Sequence, residues 1–260
     1  MATAKTKKQL VNKVLRRLRE DEVSTESPLS SDPYALSVGE FLNDVKQEVE
    51  DAWNWSQLRQ LVTLNTQAGV SEYNLGDASI DSTNVVVLDS DGNSFSVGGI
   101  VGYDVEDITN ERTQILSMWN TTQDYWLQKV SDGWMNRHTL IGSQQNSSPS
   151  YFRTKGYDTS GDMVVELYPV PDSAYVIKTW VYNPQDPLET DESQLVLTCA
   201  ELAIIYGTWA MAISERGEDG GKLYDEVFGR YQSYLQTAIA RDKEQYADTE
   251  SGSEGDWVIS

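Results

Sequence analysis

Asp89, Asp91, Asn93 and Ser94, in the stretch DSDGNS, gather oxygen donors of the kind a calcium ion takes. An EF-hand loop carries its glycine at the sixth position and a glutamate at the twelfth. Counted from Asp89, the glycine falls fourth and Ile100 falls twelfth, so the stretch reads as a hairpin turn. His138 is the single histidine and Cys199 the single cysteine, which leaves no zinc-binding set. GNSFS, from Gly92 to Ser96, lacks the closing glycine of a nucleophile elbow, and neither a phosphate loop nor a dinucleotide fingerprint occurs. With 41 acidic residues, some carboxylate pair must fall at a glycosidase separation by chance, so that pairing discriminates nothing. Eight tryptophans and fourteen tyrosines would suit stacking on sugar rings, but a core and subunit interfaces use them equally well. Cys199, between Leu197 and Ala200, is expected as a small apolar filler. The expectation is a protein that is not an enzyme, with no catalytic, cofactor-binding or metal-binding residues.

Charge narrows the classes further. The net charge is −21, and it is uneven: seven basic residues against Glu20 give the first twenty residues +6 and leave −27 on the remainder. Such a surface repels phosphate, which argues against a protein that grips DNA by charge and suits one that lies beside DNA without retaining it. The single cysteine rules out an internal disulfide framework. The opening MATAKTKKQLVNKVL has no apolar run of signal-peptide length, so no secretion signal is expected. Leu195 to Ile213 approaches the length of a membrane span, but it contains Glu201 and is flanked by Asp191, Glu192 and Glu215. A central helix buried by its neighbours is expected there.

Four helices follow from the spacing of apolar residues. Leu10, Val11, Val14, Leu15 and Leu18 form the first stripe. Ser37 to Glu40 has capping-box form and opens a second helix through Val49 to Trp53. The third is the buried one, with Asp191 as its N-cap and Gly217 at its end. The fourth carries Tyr224, Val227, Tyr231, Leu235 and Ala238. Between the second and third helices the chain reads as strand, with hairpins at Asp91-Gly92, at Asp132-Gly133 between Tyr125–Val130 and Trp134–Ile141, and at PVPDSA between Met163–Tyr168 and Tyr175–Tyr182. Asp104 to Met118 favours a short helix. The fold class expected is α+β: an antiparallel helical bundle formed by both chain ends, carrying a large β-rich, antiparallel and sandwich-like insertion. Its parts are 1–55, the first half of the bundle; 56–188, the insertion; 189–241, the second half; and 242–260, an extended C-terminal tail. Trp53 and Trp55 stand at the seam where bundle passes into sheet.

The order of features resembles the head-to-tail adaptor proteins of tailed bacteriophages, including the tail tubular protein A type of short-tailed phages. The resemblance rests on QLVNKVLRRL, SVGEFLNDVKQEVEDAWNW and LNTQAGVSEYNL, then SPSYFRTKGY, VVELYPVPDSAYVIKTWVYNP and the closing helices from ELAIIYGTWAMAI to YLQTAIARD. It implies a virion structural protein at the head-tail junction, assembled in the host cytoplasm as a homo-oligomeric ring of twelve copies. The implied partners are the portal protein above and a tail or nozzle protein below; DNA passes through the channel without specific binding, and no membrane is involved. By the same resemblance the C-terminal region meets the portal, which makes Tyr246, Trp257, Val258 and Ile259 the candidate portal interface. The competing class is a carbohydrate- or protein-binding module with a β-rich recognition domain.

Overall fold

The computed structural model describes residues 4–75, 86–88, 94–96, 112–141, 145–157, 163–217 and 221–250. The chain divides into two compact units, Met1–Leu58 with Gln185–Ser260, and Arg59–Pro184. Five α-helices occur among the described residues.

In the first unit, α1 (Lys7–Leu18) starts from a capping box in which Thr6 and Gln9 exchange side-chain and backbone hydrogen bonds, each 3.3 Å. Its stripe Leu10, Val11, Val14 and Leu15 is fully buried. The second helix, α2 (Pro33–Asp51), begins a turn earlier than Ser37. Asp32 caps it by accepting from Tyr34 N at 2.9 Å, and Pro33 presets the first helical φ, so Ser37 lies inside the helix with its hydroxyl donating to Pro33 O. The buried helix α4 (Glu201–Glu215) is shorter than its apolar run. Leu195 to Leu197 are buried but not helical, a 3₁₀ turn at Thr198–Ala200 leads in, and Asp191 caps Leu29 N at 2.8 Å instead. The last helix, α5 (Lys222–Glu250), continues through Tyr246, so the expected extended tail from 242 is helical as far as Glu250.

Helix α4 packs against α1, α2 and α5. Gly207 makes the close approach possible, since a Cβ there would stand 2.5 Å from Val45 Cγ1 and 3.1 Å from the Tyr231 ring. The start of α1 is stitched to the segment before α4 through Lys7 N–Ser193 O (2.8 Å) and Leu195 N–Lys5 O (3.0 Å). Lys46 and Glu50, one turn apart on α2, form a fully buried ion pair at 2.9 Å. The Lys46 ammonium also donates to the carbonyls of Gln185 and Asp186, the first residues after the chain returns to this unit. No helix among the described residues is long and apolar enough to cross a membrane.

The second unit is a curled seven-stranded sheet rather than a two-layer sandwich. Its strands are β1 (Arg59–Asn65), β2 (Glu72–Asn74), β5 (Gln114–Asn120), β6 (Tyr125–Lys129), β7 (Tyr151–Tyr157), β8 (Met163–Tyr168) and β9 (Val176–Tyr182). They lie in the order β1-β9-β5-β6-β7-β8-β2, and β3 (Val86–Leu88) pairs separately with β4 (Ser94–Ser96). All pairings are antiparallel except β6 with β7. The edge strands β1 and β2 are consecutive in sequence. Seven residue steps span at most about 25 Å, whereas seven flat strands would set the edges about 29 Å apart. The sheet therefore has to curl, and one core of Val62, Leu64, Met118, Leu167 and Ile177 fills its concave side.

Three expectations fail here for identifiable reasons. β8 and β9 are not a hairpin: β8 sits between β7 and β2, and β9 between β1 and β5. The link between them instead bonds to the β1–β2 turn, with Gly69 N–Pro171 O at 2.8 Å and Thr66 N–Tyr175 O at 2.9 Å. Trp134 to Ile141 is helical: α3 (Asp132–Asn136), capped by Ser131, runs into a π turn at Arg137–Ile141. Trp134 and His138 stack at 3.9 Å, an i, i+4 contact that only a helical turn allows. Gln114–Asn120 is strand, since it pairs with β9 along its length and with β6 at its end. The turn at Asp91-Gly92 and the stretch 101–111 lie outside the described residues.

Three outcomes follow. Lys46→Ala is expected to lower stability by roughly 3–5 kcal/mol, because it leaves a buried carboxylate uncompensated. Replacing Lys46 and Glu50 together by Met and Leu should cost far less, as read by chemical denaturation. Gly207→Ala should cost about 1–3 kcal/mol by forcing the helices apart, with a fall in melting temperature as the measure.

Candidate functional site

The two tryptophans expected at the seam differ. Trp55 is completely buried, and its Nε1 donates to Val49 O at 2.8 Å, closing the end of α2. Trp53 is half-buried and its Nε1 donates to Asp242 Oδ2 on α5 at 3.0 Å. Asp242 also accepts from the amide and the hydroxyl of Ser56. This buried carboxylate, 6% exposed, thus clasps the far part of α5 to the chain just after α2. Sequence reasoning passed over Asp242. The available signal was its place on the stripe Val227, Tyr231, Ala238, where a charge at the next turn calls for a buried partner. Tyr246 lies one turn beyond on α5, and Trp257, Val258 and Ile259 lie outside the described residues.

Helix α5 packs on one side only, with Val227, Tyr231, Ala238 and Asp242 inward and its other described positions half-buried or exposed. Along the flank of α4 this leaves an aromatic and apolar groove with a cationic rim. Leu202 is 49% exposed at its centre. Toward α1 a cavity of about 430 Å³ is lined by Lys13, Arg16, Arg17, Leu202 and Ile205. Toward α5 a second, of about 150 Å³, lies among Cys199, Leu202, Tyr234, Ala238 and Arg241. Tyr206 touches one lining residue of each, 4.9 Å from the Tyr234 ring and with the Arg17 guanidinium 5.2 Å above its own. Burial alone would raise the Tyr206 phenol, but hydrogen bonds from Arg230 and Arg17 outweigh it and hold the group below its ordinary value. Several rim cations are already paired: Lys13 with Glu201, Arg16 with Glu22 through two bonds of 2.8 Å, and Arg230 with Glu226 at 2.6 Å.

Cys199 is exposed rather than a core filler, yet desolvation beside the cavity, with the Asp242 carboxylate second, pushes its thiol up to about 12. A thiol so seldom ionised is a poor nucleophile. His138 lies within the aromatic cluster of Trp134, Tyr151 and Tyr168 in the sheet unit, its Nδ1 2.8 Å from Trp134 O. Among the described residues no three His, Cys, Asp or Glu side chains come together to hold a metal ion.

A family model described as SU10 adaptor protein matches residues 5–254. No curated protein matches the sequence.

Asp242→Ala should destabilise the helical unit by about 1–3 kcal/mol for each donor it orphans, and Asp242→Asn, which keeps an acceptor, by less; thermal melting by circular dichroism distinguishes the two. Alkylation of Cys199 in the folded chain should rise with pH through a midpoint near 12.

Proposed function

Because the chain belongs to the SU10 adaptor protein family of phage adaptors and virion components, we propose that it is the non-enzymatic ring that joins the portal to the tail and surrounds the DNA channel. The match over residues 5–254 carries this reading. The twelve-fold ring, the head-tail junction, assembly in the host cytoplasm and a tail or nozzle protein below are parts of the same proposal. So is the closer likeness to the tail tubular protein A type of short-tailed phages, which rests on the order of sequence features. So too is the packing of helices from both chain ends as an antiparallel bundle that carries the sheet unit.

Two physical features support it. A chain that carries −27 outside its first twenty residues gives a channel little affinity for phosphate, which suits a conduit. The outer side of α5 offers a long surface to neighbouring copies, and head-to-tail contacts of that kind close into a ring when the rotation allows. Trp257, Val258 and Ile259 act in this reading as a portal anchor, weak singly and strong when twelve tails bind together.

Electron microscopy of the chain mixed with its portal should show a ring of twelve subunits beneath the portal ring; images in which the portal stays bare would overturn the proposal. A chain truncated after Asp256 should fold normally and lose portal binding, and full retention of binding would remove the anchor.

A further inference from the structure

The groove on the helical unit matches the chemistry of a segment in the same chain. After Lys243 the sequence has no basic residue; Asp248, Glu250, Glu254 and Asp256 precede the apolar Trp257-Val258-Ile259. The groove offers the complement, an apolar floor at Leu202 and Ala238 with cations at its rim. Arg241 on that rim has no ion-pair partner among the described residues. We propose that residues 251–260 fold back and dock in the groove of their own chain, with Trp257 against Cys199 and Ala238 and with Glu254 and Asp256 facing Arg241.

The lengths agree. The described part of helix α5 runs to Glu250, and Gly252 two residues later is the residue type that reverses a chain at a helix C-terminus. Five extended residues from Gly252 reach about 17 Å, and eleven helical residues rise about 17 Å. Trp257 therefore comes back level with Ala238 to Arg241, which is where the smaller cavity lies. Val258 and Ile259 continue toward Leu202, whose exposed side chain divides the two cavities. The positive environment that holds the Tyr206 phenol below its ordinary value lies on the same path. Docking within one chain needs only modest contact energy, because the tether keeps the tail near the groove. It forms without the portal, which in the adaptor reading competes for the same apolar residues.

Cys199, the sole cysteine, lies under the docked tail and reports on it without any added label. Reaction with a small maleimide at fixed pH should be roughly tenfold slower in the full chain than in the chain truncated after Glu250, as for a site filled by a tethered ligand. Trp257→Ala should match the truncated chain. High salt should speed the full chain, because screening shortens to about 3 Å at 1 M. In Val258→Cys, a short bis-maleimide should join position 258 to Cys199 within one chain at every protein concentration. Equal rates in the full chain and Trp257→Ala would overturn the proposal. Cross-links between chains would overturn it too, by assigning the groove to a second copy, and protection that appears only on adding portal would assign it to that partner.

Discussion

Lys46 gives up its hydration inside α2 for one carboxylate and two carbonyls, and the helical unit is organised around that exchange. An ammonium this buried is tolerable only if every bond it makes is kept. Glu50 supplies the charge from the same helix, so the pair is in register as soon as α2 forms. The carbonyls of Gln185 and Asp186 come from far along the chain and fix where it re-enters the unit. Asn43 repeats the device nearby, bonding Leu188 N at 2.9 Å and Leu188 O at 3.4 Å. The long excursion Arg59–Pro184 is thereby closed by polar contacts whose geometry is directional, which hydrophobic packing alone would not provide.

A different constraint governs the sheet unit. Because β1 and β2 are joined by a short turn yet occupy opposite edges, curvature is imposed by chain length before any side chain is considered. The turn is held by Tyr73, whose hydroxyl donates to Val70 O at 2.8 Å and accepts from Gln67 N at 3.0 Å. Gly69 supplies the positive φ of 81° that the turn needs. Arg153 then ties β7 to β8 and to α3 through Glu166, Asp132 and Asn136. One cation thus explains why a helical turn is accommodated next to the sheet where the Asp132-Gly133 turn signal suggested a hairpin strand.

What could be read from the sequence followed periodicity, and what could not was non-local. The stripes of α1 and α5 are set by residues a turn apart, whereas β1 is buried at five consecutive positions and shows no alternation. The start of α4 was hidden because Leu195 to Leu197 are as apolar as the helix they precede, and apolar character does not distinguish a buried helix from a buried 3₁₀ approach. The partners of β8 and β9 were illegible because a prolyl link between two strands looks like a hairpin whether or not the strands meet. Of the candidate site, Trp53 and Trp55 were visible as aromatic residues at a helix end. Asp242 and the groove beside Leu202 were not, since they arise only when α5 lies along α4.

Gly207 shows how tightly that arrangement is specified. With Val45 and Tyr231 both against its missing Cβ, three helices share one small volume. Their sequences cannot drift independently at these positions. A relative with alanine in place of Gly207 has to carry a smaller residue than valine at position 45 or a displaced ring at 231. Size at these three sites should therefore covary across the family even where nothing else about the helices is held in common.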